Sequence, residues 1–189
     1  MPEDIQYVEQ IRGADEVARR CLVLYAVIAA GHEGPRTELV TWLQREKLWE
    51  SASPNERSFL QSAIPTQQQR ANATWRVEAL APLLWALGVV SELPPPTGLC
   101  DVQGLRRVLP PLMGLVSEWL SAAQLRLDSE IHDANESIYQ IHWAVRDAQL
   151  NGRPVPQEYY LSVVQERHYA LNWLIGYCGQ EWDDITTDT

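Results

Sequence analysis

A chain of 189 residues in which 46% are hydrophobic is long enough to bury a full core. Its net charge of −10 excludes the basic surface that nucleic-acid phosphates require and disfavours docking on anionic lipid. Three cysteines, Cys21, Cys100 and Cys178, are too few and too scattered for a disulfide framework or a zinc site.

The amino-terminal string "MPEDIQYVEQ" is acidic and polar, unlike a secretory signal. The longest apolar run, "CLVLYAVIAAG", falls well short of the roughly 20 residues that cross a bilayer, so a cytoplasmic protein is expected. Helical periodicity dominates from there on, and no run alternates as a strand does. A first helix spans about 14–31, with Val17, Cys21, Leu24 and Ile28 on one face, and a second runs from about 35 to 48 behind Pro35. The third opens at "SPNE": Ser53 caps, Pro54 suits the first turn, and Glu56 closes a capping box. The fourth, about 66–87, begins with a similar box at Thr66 and stops at Gly88.

"ELPPPTGLCDVQG" reads as loop and places Cys100 where it would be exposed. A helical stretch over about 101–123 breaks near Pro110 and Pro111. Two long helices follow, about 128–150 and 156–179, separated by "NGRPVP". The expectation is an all-α fold: a single irregular bundle of six to seven helices over residues 1–189, with an acidic C-terminal tail packed back on the central helices. If the chain divides into two lobes, it does so near 89–110.

Eight tryptophans against one phenylalanine point to a core organised by indoles. All but one of the fifteen basic residues are arginine, an imbalance attributed to coding bias rather than function. Two of these arginines sit where leucines belong. On the last helix Arg167 falls among Val164, Leu171, Leu174 and Ile175, with Tyr160 and Cys178 on the same face and His168 at its edge. On the fourth helix Arg76 projects from a face of Val77, Leu80, Leu83, Leu84 and Leu87, while Trp75 and Trp85 make that helix apolar nearly all round. A guanidinium stays charged at any ordinary pH, so burying it demands a carboxylate and further acceptors. Candidates are Glu78 and the tail aspartates Asp183, Asp184 and Asp188. The tail is expected to fold back over the arginines with Trp182 as its anchor.

Other polar groups are weighed against simpler readings. Asp128, His132 and Glu136 recur at four-residue intervals as three metal ligands could, but a solvated charged stripe off the apolar face is the better explanation. The tail string "DDITTD" superficially resembles the aspartate-rich magnesium motif of isoprenoid synthases, yet Ile185, Thr186 and Thr187 disfavour helix and no second motif exists. Tyr139, His142 and Arg146 border one apolar helix face. With Glu166, His168 and Asn172 they could line a polar cleft, or simply hydrogen-bond one another across a helix seam. No nucleophile stands beside a base, no glycine-rich phosphate loop occurs, and the sequence offers no cofactor or metal site.

The strings "WRVEALAPLLWALG" (75–88), "IHWAVRDAQLNG" (141–152) and "ERHYALNWLIGY…WDDITTDT" (166–189) resemble a bacterial family of domains of unknown function, the one numbered 4272. The resemblance covers the chain from about residue 15 and includes both suspect arginines and the tail aspartates. It implies a bacterial, mainly helical, intracellular protein with no established activity, and no catalytic residue is carried over from it. Size and charge then favour a non-catalytic protein-binding module with a basic partner, of which a toxin-neutralising immunity protein is one example. The rival is a domain or enzyme that holds an anionic small molecule in a pocket around Arg76, Arg167 and His168. Oligomeric state is not legible.

Overall fold

The structure, a computed structural model, describes residues 9–156 and 158–189; the acidic string over residues 1–8 lies outside the described residues. It is all-α. The helices are α1 (Ala14–Gly31), α2 (Arg36–Arg45), α3 (Pro54–Gln61), α4 (Gln67–Ala86), α5 (Val102–Val108), α6 (Ser117–Ser121), α7 (Asp128–Leu150) and α8 (Leu161–Ile175). Short 3-10 turns cover Trp49–Ser51, Tyr177–Gly179 and Trp182–Asp184. No strand forms among the described residues, and no described helix is long and apolar enough to cross a membrane.

Local chemistry explains most of these limits. Ser53 accepts from the Glu56 N–H while the Glu56 carboxylate accepts from the Ser53 N–H, so both halves of the capping box form. Thr66 and Gln69 repeat the device at the start of α4. α4 carries no distinct polar face. It runs through Pro82 and packs on α1 on one side and α8 on the other, which makes it the central element. α7 covers the outer side of α8, and α2 and α3 pack against α1. The stretch expected over 101–123 resolves into α5 and α6, parted at the Pro110–Pro111 pair.

The last helix is shorter than its apolar pattern suggests. It begins at Leu161, not near 156, and Tyr160 is its exposed N-cap residue rather than part of the buried face. The Tyr160 N–H bonds the Pro96 carbonyl at 3.0 Å, which ties the residue before the helix to a different part of the chain. That carbonyl belongs to the proline loop, which has few N–H groups of its own and therefore presents acceptors outward. Arg126 donates from the other side to the carbonyls of Trp85, Val90 and Ser91 at 2.7, 3.1 and 2.8 Å. Cys100 is not exposed: its backbone N–H bonds buried Glu78 at 2.8 Å, and the thiol is pushed up to about 12 by burial and by that carboxylate.

Gly176 ends α8 in the left-handed region at φ 70°, and a Cβ there would lie 2.7 Å from the Gln10 carbonyl oxygen. Gly88 has the same φ of 70° but nothing within 4 Å of a Cβ. Gly88→Ala should therefore incur the conformational term alone, about 1 kcal/mol. Gly176→Ala adds a backbone collision, and its loss in chemical denaturation should exceed that of Gly88→Ala.

Candidate functional site

A guanidinium inside a bundle forces its surroundings to answer it, and three arginines do so together. Arg20 on α1 stacks over the Trp182 and Trp173 rings at 4.7 and 5.6 Å. Arg76 on α4 lies 4.5 Å from the Tyr169 ring and 5.6 Å from Trp182. Arg12, just before α1, sits 4.7 Å over Trp173. The rings interlock as well: Trp182 meets Tyr169 and Trp173 edge to face at 5.0 and 5.3 Å. Each arginine has one near glutamate, Arg12 with Glu16 at 2.6 Å, Arg20 with Glu56 at 2.6 Å and Arg76 with Glu166 at 3.1 Å. The cluster joins α1, α3, α4, α8 and the tail.

This corrects the expectation that the tail aspartates cap the arginines. Trp182 is the buried anchor of the tail, but its carboxylate neighbours look elsewhere. Asp183 accepts from the Asn55 N–H at 2.9 Å, in the first turn of α3, while Asp184 and Asp188 are exposed. The tail is held otherwise by neutral groups. Asn172 donates to the Thr186 carbonyl at 2.9 Å, Gln180 accepts from the Thr186 N–H at 3.0 Å, and the Tyr169 hydroxyl donates to the Trp182 carbonyl.

Arg167 forms a separate pair with Glu78, and the two side chains are 2% and 0% exposed. Glu78 Oε2 takes Arg167 Nη2 at 3.1 Å while its Oε1 takes the Cys100 N–H, and the Pro94 carbonyl accepts from Arg167 Nη1. Arg20 was not singled out in the sequence, although it lies three residues from Val17 and four from Leu24 within the same apolar face. The signal that marks Arg76 and Arg167 was present there too. Glu56, read only as a cap, serves two partners with one oxygen.

The second polar group divides. His142 and His168 are both buried, with Nδ1 atoms 2.9 Å apart, and the Tyr139 ring meets His168 edge-on at 5.9 Å. Asn172, beside His168, accepts from Asn135 on α7 at 2.8 Å. Arg146 is exposed, and Glu166 belongs to the opposite seam with Arg76. Asp128, His132 and Glu136 are all exposed, and among the described residues no group of three or more metal-ligating side chains is placed to hold an ion.

Nor do Arg76, Arg167 and His168 share one pocket. Arg76 lines a cavity of about 340 Å³ beside Trp182. Arg167 lines another under the proline loop, and His168 a third that also touches Tyr139 and Asp188. A wider opening, about 750 Å³, lies between α1, the 50–55 segment and the tail. Glu16, Glu50, Glu181, Asp183 and Asp184 line it, against the guanidiniums of Arg20 and Arg57.

Removing the Arg167 guanidinium strands the Glu78 carboxylate in the core. Arg167→Ala should cost about 3–5 kcal/mol in thermal or chemical unfolding, and adding Glu78→Gln should restore part of it. A loss within experimental noise would contradict the burial of the pair.

The histidine pair carries a pH signature. Burial lowers both imidazoles; Arg146 lowers His142 further, and His142 holds His168 down to about 4, against Asn172 and Asp188. Two Nδ1 atoms in contact need one proton between them, so protonating both rings sets donor against donor. The unfolded chain takes up protons near 6.5 and the fold resists them until about 4. Stability is therefore full above the upper value and falls on acidification across that window, by about 3 kcal/mol for His168. His168→Gln should flatten this part of the profile.

No curated protein and no solved structure matches the chain. The sequence profile of the family described as a domain of unknown function, DUF4272, matches residues 3–185, and the chain belongs to that family.

Proposed function

We propose that this chain is a non-catalytic protein-recognition module whose partner presents a basic surface. The observation that carries this reading is the 750 Å³ cleft with five carboxylates in its walls. Its two guanidiniums are already committed, Arg20 to Glu56 and the Ser51 carbonyl and Arg57 to Glu50. At the rim Glu50 shares Arg57 and Glu181 lies 3.7 Å from Arg12, yet the acids stay open to solvent. The Glu50 and Glu181 side chains are 85% and 77% exposed, and Asp184 is exposed. A concave, negative opening of this kind raises the encounter rate of a positive partner and penalises a negative one.

The reactive side chains give catalysis little support. Cys21 and Cys100 are buried thiols held protonated, and the two buried histidines face each other rather than a nucleophile. An immunity-type role, covering a toxin's basic face, is the finer version of the proposal and rests on charge and size.

The test is affinity capture from the native host with wild-type protein and with the triple variant E50K/E181K/D184K, positions that pack against no core. A basic protein retained by the wild type, released by moderate salt and absent from the variant is the expected result. Identical retention by both, or none by either, would refute the reading. For the immunity version, the adjacent gene should encode a toxin whose growth arrest is relieved by co-expression of this chain and not by the triple variant.

A further inference from the structure

Arg76 differs from Arg12, Arg20 and Arg167 in how its hydrogens are used. Arg12 donates to Glu16 and to the carbonyls of Trp173 and Gln180. Arg20 donates to Glu56 and the Ser51 carbonyl, and Arg167 to Glu78 and the Pro94 carbonyl. Each therefore has a backbone acceptor besides its carboxylate. Arg76 has Glu166 Oε2 at 3.1 Å, and no backbone oxygen accepts from it among the described residues. A guanidinium offers five N–H donors, and a quarter of the Arg76 side chain is exposed, at 25%. The exposed part faces the 340 Å³ cavity between α3, α4 and the tail.

The same cavity is lined by a complementary group. Glu56 is 7% exposed; its Oε2 takes both Arg20 Nη1 at 2.6 Å and the Ser53 N–H at 2.8 Å. Its Oε1 is buried and accepts no hydrogen bond. A buried carboxylate oxygen without a donor is a costly state that an incoming N–H relieves. Asp183, with one oxygen on the Asn55 N–H, lines the cavity too. Between these charges stand Phe59, Tyr169 and Trp182, with the neutral side chains of Gln69 and Asn72 at the opening.

We infer that this cavity binds a small zwitterion of the α-amino-acid class, its carboxylate on Arg76 and its ammonium toward Glu56 and Asp183. The lining charges choose the class. A simple anion such as phosphate would gain one guanidinium and face two carboxylates, and a polyamine would meet Arg76. A ligand carrying both charges a short distance apart satisfies both ends, and its side chain finds the aromatic wall. The volume falls at the lower end of the roughly 300–1,000 Å³ usual for ligand pockets, which suits a molecule of that size. The site is distinct from the acidic cleft, although Trp182, Asp183 and Asn55 contribute to both.

The experiment titrates the full chain, labelled with ¹⁵N, with L-alanine, L-leucine, L-glutamine and L-phenylalanine. Inorganic phosphate and spermidine are the charge controls. At least one amino acid should shift the Trp182 indole N–H saturably at millimolar concentration. Its N-acetyl and its carboxamide derivatives should each bind at least tenfold more weakly. Arg76→Gln should abolish the shift. Because that variant also disturbs the aromatic cluster, Asn72→Trp, an exposed position on α4 that plugs the opening, should abolish it with circular dichroism and Tm unchanged. The inference is overturned if none of the four amino acids binds, if phosphate or spermidine binds as well as the best of them, or if the plugged variant still titrates like the wild type.

Discussion

A guanidinium cannot give up its proton, so an arginine drawn into a helical bundle dictates what surrounds it. In this protein the Arg20 guanidinium ties α1, α3, α8 and the tail to one another. It lies on Trp182 and Trp173, reaches Glu56, and donates to the carbonyl at the end of the Trp49–Ser51 turn. Glu56 is at the same time the acid of the α3 capping box. One carboxylate oxygen thus positions the start of α3, neutralises α1 and, through Arg20, holds down the tryptophan that anchors the tail. Interactions sharing an atom in this way are not additive, and the loss of any one member should cost more than its pairwise share.

The scarcity of lysine acquires a physical meaning in this light. Arg12, Arg20, Arg57, Arg76 and Arg126 each place a planar guanidinium over an aromatic ring while its edge donates hydrogen bonds to carboxylates or carbonyls. An ammonium has no flat face to lay on an indole and no fixed fork to divide between two acceptors. Five of the fourteen arginines lie on rings in this way, and at those positions lysine would not serve equally. The indoles make the same point from the other side, since Trp173 and Trp182 are buried and both serve as supports for cations.

Local rules were legible in the sequence, and partner choice was not. The boxes at Ser53 and Thr66, the glycine after α4, and the limits of α1 and α7 follow from short-range chemistry and appear where expected. Arg167 was marked as buried by its place in an apolar stripe, for a reason that survives an error of a residue or two in the helix ends. Which acid would meet it depends on how α4 and α8 cross, and nothing in the spacing of Glu78 or the tail aspartates encodes that crossing. Glu78 wins because it faces α8 across the seam and is already inside. Asp183 instead finds the free N–H groups at the start of α3, a demand that exists only once α3 and the tail are neighbours. Tyr160 was misplaced because its N–H pairs with the Pro96 carbonyl, a long-range contact that helical periodicity does not encode.

The pairing of inside charges also decides where the unmatched negative charge is displayed. Arg20 with Glu56, Arg167 with Glu78 and Arg76 with Glu166 each sum to zero. The net charge of −10 is therefore borne outside these pairs, by side chains nearer to solvent. Were the tail aspartates consumed in capping arginines, the concave face beside Trp182 would be close to neutral. Because glutamates on the helices already match those arginines, Asp184 and Glu181 remain at the rim with Glu50 opposite, and the interior solution leaves the cleft acidic. The residue that ties these halves together is Trp182. It is held in place by buried cations and, by standing there, forms part of the wall beside which the solvent-exposed rim carboxylates lie.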